Sequence, residues 1–216
     1  VDIATTALPD EVLRRAAAAG LKTVPTGIEH GTVTVIVDSV PFEVTTLRED
    51  VETYGRKAKV AFGRSWQHDA HRRDFTINAL SISRDGKVHD YVNGLPDIAA
   101  GRVRFVGDAA TRIAEDYLRI LRLFRFHAHY GKGEIDRDGV NASIAARSGL
   151  ESLSRERVRM EMMKLLAAPR PAETLQVVAD AGILKDVLAG PADVAAVARM
   201  KAAEAASGLD QDPVRA

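Results

Sequence analysis

Runs of three or more β-branched residues occur in this chain only before residue 100. Beyond that point apolar residues recur at helical spacing, broken by glycine and proline. Strands gathered at one end and helices at the other cannot form a doubly wound parallel sheet, which needs them to alternate. The expectation is an α+β chain. Thr32–Val37 and Phe42–Leu47 are the clearest runs, and the intervening Asp38-Ser39-Val40-Pro41 predicts a hairpin. Pro9-Asp10-Glu11 opens a helix that Gly20 closes. Residues 48–66 read as a mobile loop and residues 68–80 as a helix. Short strands are expected around Ser81–Ser83 and Lys87–Tyr91, then a turn at Asn93-Gly94-Leu95-Pro96. Helices are expected over 108–130, 136–147, 154–168, 171–180 and 191–206, with a frayed tail at 207–213.

Composition narrows the functional classes. The 216 residues contain no Cys, which excludes disulfides, thiolate metal sites and a cysteine nucleophile. The first residues do not resemble a signal peptide, and no apolar run is long enough for a membrane span, so a cytoplasmic protein is expected. Formal net charge is zero, yet residues 51–170 carry 22 basic and 15 acidic side chains between two acidic ends. A basic middle suits a polyanionic partner, and it equally suits solvated helix faces.

Four clusters could carry chemistry. In Thr26-Gly27-Ile28-Glu29-His30-Gly31-Thr32, Gly27 and Gly31 would let backbone amides approach an anion, with His30 and Thr32 as further donors. An ordinary glycine turn has the same pattern. In His68-Asp69-Ala70-His71-Arg72-Arg73-Asp74-Phe75-Thr76-Ile77-Asn78, Arg72 and Arg73 offer planar forks suited to phosphate, with Asp74 and Asn78 beside them. A surface ion-pair helix would read alike. Asp116 and Arg119 lie three apart in a helical segment, continued by Arg122 and Arg125. A carboxylate accepts from an exocyclic amine and a guanidinium donates to a ring nitrogen. Cytosine and adenine present that pair of groups, whereas guanine and uracil present the reverse polarity. The same spacing also makes a plain intrahelical salt bridge. Finally, Asp2, with Glu43 on a later strand, offers carboxylates of the kind that hold Mg²⁺ near a triphosphate.

In this order the clusters are more specific than any one of them. The chain resembles the bacterial class II tRNA nucleotidyltransferases (CCA-adding enzymes) and their relatives, the bacterial poly(A) polymerases. The resemblance rests on Val1-Asp2-Ile3-Ala4-Thr5, Thr26-Gly27 with His30-Gly31-Thr32, Glu43-Val44-Thr45-Thr46-Leu47-Arg48, and Arg72-Arg73-Asp74-Phe75-Thr76-Ile77-Asn78-Ala79. It continues through Asp90, Gly94 and Asp97, then Glu115-Asp116 with Arg119, and Glu156-Arg157 with Glu161. It implies a polymerase-beta-like nucleotidyltransferase head over residues 1–95, a helical neck over 96–168 and the start of a helical body over 169–216. It further implies that Asp2 is the second Mg²⁺-binding carboxylate, with Glu43 a further one. Arg72, Arg73 and Asp74 would contact ribose and triphosphate. Asp116 and Arg119 would select CTP or ATP. The loop at 48–66 would help the site change from C to A addition, Asp90–Gly94 would be a hinge, and Arg157 and Glu161 would stabilise the neck helices.

The family's first metal-binding Asp would precede Val1, and its body and tail would continue past residue 216. The resemblance therefore implies a piece shortened at both ends, inactive or severely impaired alone. The expected activity is addition of C, C and A to tRNA 3′ ends from CTP and ATP. A poly(A) polymerase, a CC- or A-adding enzyme, and a fragment that only docks RNA share the same motifs.

Overall fold

The computed structural model describes residues 2–25, 27–50, 60–188, 190 and 192–208. They fall into two compact units, Val1–Arg73 and Asp74–Ala216.

The first unit is built around the hairpin. Strand β3 (Thr32–Val37) pairs antiparallel with β4 (Val40–Thr46), in the register Val37 to Val40. That leaves a two-residue turn in which Asp38 and Ser39 both have positive φ, 48° and 67°. Both residues left-handed is the turn whose twist matches that of the strands. Strand β1 (Asp2–Thr5) runs parallel to β4, and β2 (Lys22–Val24) pairs antiparallel with β3, giving the order β1-β4-β3-β2. Side chains alternate between the two faces of the sheet. Val33 and Val35 fall on one face and are buried with Val12 and Ala16 of helix α1 (Pro9–Ala18). The opposite face carries Asp2, Glu43, Thr32, Thr34 and Thr45, so the sheet is apolar against α1 and polar on its other side. The expected loop over 48–66 contains two short strands instead, β5 (Arg48–Asp50) and β6 (Val60–Phe62), paired antiparallel. The part of that loop at 51–59 lies outside the described residues. Helix α2 (Trp66–His71) closes the unit, its first turn capped by the Ser65 hydroxyl accepting from His68 N–H.

The helix expected over 68–80 is shorter than its pattern. It ends at Arg72, Phe75 is extended at φ −118° and ψ 151°, and Thr76–Asn78 forms a single 3₁₀ turn. The hairpin β7 (Ser81–Ile82) and β8 (Val88–His89) follows. At the expected turn Asn93–Pro96 the chain instead enters helix α3 (Gly94–Ala100). The Asp90 carboxylate accepts from the Gly94 and Leu95 amides, and Pro96 falls in the first turn, where no intrahelical donor is needed.

The segment 108–130 forms two helices, α4 (Ala109–Glu115) and α5 (Leu118–Tyr130). Asp116 interrupts them, extended at φ −157° and ψ 106°. Helix α5 is the axis of the second unit, with Leu118, Ile120, Leu121, Leu123, Phe124, His127 and Ala128 all buried. Around it lie α6 (Arg137–Ala146), α7 (Arg155–Leu166), α8 (Pro171–Asp180), α9 (Ile183–Val187) and α10 (Val194–Ser207). The frayed tail expected at 207–213 lies mostly outside the described residues; α10 ends at Ser207, with Gly208 as its cap. No helix among the described residues is long and apolar enough to cross a membrane.

Candidate functional site

In the first unit, the parallel pairing of β1 with β4 sets Asp2 beside Glu43 on the polar face of the sheet. Both are exposed, and neither has an ion-pair partner among the described residues. Like charges side by side on adjacent strands repel. Uncompensated carboxylates in register are oxygen donors suited to a hard divalent cation, which takes its remaining ligands from water or phosphate. No group of three or more His, Cys, Asp or Glu side chains that could hold a metal ion occurs among the described residues. On the same face the Thr32 and Thr45 hydroxyls are 3.0 Å apart.

Gly27 and Gly31 flank a 3₁₀ turn, Ile28–His30, with φ of 96° and 80°. A side chain is strained at both angles. At Gly31 a Cβ would also meet the Phe62 ring at 2.6 Å. His30 is exposed, its Nε2 3.9 Å from the Glu29 carboxylate. Thr26 lies outside the described residues.

Arg72 and Arg73 converge on one carboxylate, that of Asp69, at 2.5 and 3.1 Å. Asp69 also accepts from the Arg48 amide, at 3.3 Å. Sequence reasoning gave it no role, although its spacing of three and four from the two arginines on one short helix was the available signal. Burial acts to raise its pKa, but the two guanidinium charges, Arg72 first, hold it below the usual carboxylate range.

In the second unit, Asp74 is buried and fully engaged. Its Oδ1 accepts from the Phe75 amide and from Asn78 Nδ2, and its Oδ2 accepts from Arg122 Nε at 2.5 Å. Burial pushes its pKa up, but Arg122 first, then the Asn78 hydrogen bond and the Arg119 charge, hold it below the usual carboxylate range. Asn78 returns a bond by accepting from Phe75 N–H, which fixes the 3₁₀ turn. Another carboxylate, Asp97, is fully buried and accepts from Thr76, Arg102 and Arg104.

The expectation that Asp116 and Arg119 share the face of one helix is corrected by the break at Asp116. The Asp116 carboxylate accepts from the Leu118 amide and, at 2.6 Å, from Arg157 of α7. Arg119 turns instead to the Glu115 carboxylate and the Arg112 carbonyl. Arg119 is thus paired with Glu115, and Asp116 with Arg157. Asp116 keeps a third of its side-chain surface exposed, at 33%, whereas Glu161 is 5% exposed. Arg122 pairs with Asp74 and lies 3.8 Å from Glu161. Arg125 pairs with Glu161 and stacks 4.4 Å over the Phe126 ring. The expected nucleotide-binding arginines thus split: Arg72 and Arg73 end the first unit, and the stripe Arg119, Arg122 and Arg125 runs along α5.

Comparison with known proteins follows the same outline. Residues 1–104 match the family model described as "Poly A polymerase head domain". Residues 134–192 match "Probable RNA and SrmB- binding site of polymerase A". The CCA tRNA nucleotidyltransferase 1, mitochondrial, of Danio rerio is 42% identical over 186 residues, which is 85% of this chain and 43% of that protein. The CCA-adding enzyme of Geobacillus thermodenitrificans is 42% identical over 185 residues, 85% of this chain and 45% of its own length. Among solved structures, the Bacillus stearothermophilus CCA-adding enzyme in complex with CTP superposes with a TM-score of 0.75 at 37% identity, over 85% of this chain and 43% of that one. The chain therefore spans under half the length of these relatives.

Proposed function

The chain belongs to the tRNA nucleotidyltransferase and poly(A) polymerase family, and on that premise we propose that it carries the nucleotidyl-transfer and base-selecting residues of a CCA-adding enzyme. The reaction adds C, C and A to the 3′ end of tRNA from CTP and ATP. The terminal 3′ hydroxyl attacks the α-phosphorus, a phosphodiester bond forms, and the bond to the β-phosphate oxygen breaks with release of pyrophosphate. The observation that carries this reading is the uncompensated Asp2–Glu43 pair on the polar face of the sheet.

Asp2, with Glu43 beside it, would hold Mg²⁺, which neutralises triphosphate charge and makes the attacking hydroxyl more acidic. Gly27 and Gly31 allow close backbone approach to phosphate, with His30 and Thr32 as donors. Arg72 and Arg73, held in place by Asp69, would meet triphosphate and ribose. Asp74 and Asn78 order the chain next to them, and Asp74 fixes Arg122. Asp116 has lone pairs beyond those taken by Leu118 and Arg157, so it would accept from the exocyclic amine of cytosine or adenine while Arg119 donates to the ring nitrogen. Guanine and uracil present the reverse polarity and would forgo both of these bonds. We assign Arg125 to holding α7 rather than to the nucleotide. The assigned setting is the cytoplasm, with the tRNA 3′ end as partner.

The test is incorporation into tRNA that ends before CCA, with Mg²⁺ and each triphosphate in turn. It is run with the chain as it stands and within the longest open reading frame that carries it. Two C additions, one A and then arrest are expected from the latter. Long A tails would support poly(A) polymerase, which the descriptions of the two matched family models favour. No incorporation would overturn the assignment. Asp2→Ala should abolish transfer while leaving tRNA affinity within about twofold, because it removes a cation ligand and no tRNA contact. Surviving transfer would refute the metal role.

A further inference from the structure

A cavity of about 410 Å³ opens on the second unit, and Asn78 is the one expected nucleotide-binding residue in its lining. Its walls are Ile77, Ile98, Phe126 and Tyr130, with Asn78, Arg102 and the buried Asp97 as the polar lining. Tyr130 is the last residue of α5, about 18 Å along the helix axis from Leu118. Asp116, just before the other end, is therefore remote.

Three features define what this cavity takes. Its walls are aromatic and aliphatic, and Tyr130 stays 59% exposed although its ring lies 5.7 Å from Phe126 and 5.6 Å from His129. A flat face held against other rings and left open to solvent is a stacking platform. Its polar side is cationic: Arg102 lines it half-exposed, and the buried Asp97 is shared between Arg102 and Arg104. Arg102 uses Nε and Nη2 on Asp97, so its remaining donors are available to a phosphate. Lys132 lies across Gly101, where a Cβ would meet its side chain at 2.6 Å, and has no acidic partner among the described residues. No exposed acid lines the cavity.

We propose that this cavity seats one unpaired base of the RNA substrate, stacked on Tyr130, with its adjoining phosphate at Arg102 and Lys132. The inference rests on the chain acting on RNA. It adds a contact point remote from Asp116 and outside residues 134–192, the segment matched by the RNA-binding family model. A free nucleoside triphosphate fits less well, since its three phosphates need more uncommitted cations than the mouth supplies. A strand presents one phosphate per base, as the mouth requires.

The experiment is fluorescence anisotropy of labelled tRNA that ends before CCA, at several salt concentrations, with the wild-type chain and three variants. Base–aromatic stacking measured by alanine substitution predicts that Tyr130→Ala weakens binding about 5- to 150-fold. Tyr130→Phe should restore it, because the ring face is what matters. Lys132→Gln should reduce the salt slope by about 1. Photocrosslinking of wild-type chain to RNA carrying 5-iodouridine should label Tyr130, a readout that needs no variant to fold. Wild-type affinity in Tyr130→Ala, or crosslinks that avoid α5, would overturn the site and leave the proposed activity standing. Loss of CTP or ATP binding in Tyr130→Ala with RNA affinity unchanged would overturn RNA as the occupant. Absence of any RNA binding by the wild-type chain would sink this inference together with the RNA-directed activity.

Discussion

Glu161→Gln tests how α5 is held. Glu161 is 5% exposed and accepts from Arg125, whose side chain is 13% exposed. It also lies 3.8 Å from Arg122 and 3.9 Å from Lys164. An amide at this position keeps the shape and removes the charge. Arg125 is then a buried guanidinium with no counter-ion among the described residues. Breaking a buried pair in this way costs about 3–5 kcal/mol. Lys164 is 56% exposed and returns to water, and Arg122 keeps Asp74, so the low end of that range, about 3 kcal/mol, is expected. For a unit of this size the melting temperature should fall by roughly 10 °C. Urea unfolding followed by far-UV circular dichroism measures the loss, with an unchanged m-value as the check on two-state behaviour. The double variant Glu161→Leu/Arg125→Met removes both charges and should recover to within about 1 kcal/mol of wild type, since apolar replacement of a buried pair is often neutral. A loss below about 1 kcal/mol in Glu161→Gln, or a double variant no better than the single, would refute the claim that Glu161 compensates a buried charge.

Three further outcomes follow from other parts of the chain. Asp116→Ala should relax discrimination against UTP and GTP or abolish use of CTP and ATP; steady-state incorporation with each triphosphate measures it, and unchanged selectivity and rate would refute the base-reading role. His127 is buried with its Nδ1 unpartnered among the described residues, and burial, followed by the Arg170 charge, holds its pKa below the ordinary 6.5. Its neutral form therefore favours the folded state. That contribution is complete above about pH 6.5, where the unfolded imidazole is also neutral, and is lost as pH falls below it. Melting temperature against pH should drop on the acid side, less so in His127→Gln, and identical slopes would contradict the assignment. Ser39→Gly should stabilise the first unit by up to about 1 kcal/mol, because Ser39 sits at φ 67° in the β3–β4 turn. A urea midpoint that stays put or falls would show that the turn is unstrained.

Much of the local structure was legible, and each miss has its own physical cause. Strand Thr32–Val37 and helix Pro171–Asp180 have their expected bounds, each carried by strong period and clear punctuation. The break at Asp116 was hidden because Ile113, Leu118 and Leu121 keep helical spacing across it, with no glycine or proline between. Its cause is a side chain: the Asp116 carboxylate accepts from the Leu118 amide and replaces a helical bond. Helix α3 was hidden for the opposite reason, since Asn93-Gly94-Leu95-Pro96 has turn chemistry and Asp90 satisfies the amides that make it a helix start. At the candidate site, residue types were readable but partners were not. Arg122 meets Asp74 across 48 residues, and Arg157 meets Asp116 across 41. Pairing at that range depends on tertiary packing, which no local pattern encodes.

The arginine stripe of α5 also constrains evolution and engineering of the chain. Arg119, Arg122 and Arg125 answer to Glu115, Asp74 and Glu161, three acids on three different segments. Inserting or deleting one residue ahead of the stripe turns everything beyond it by about 100°. No neighbouring angle returns three guanidiniums to three carboxylates. The helix has a single azimuth, like a key cut with three teeth, and its length between Asp116 and Arg125 is the dimension least open to redesign.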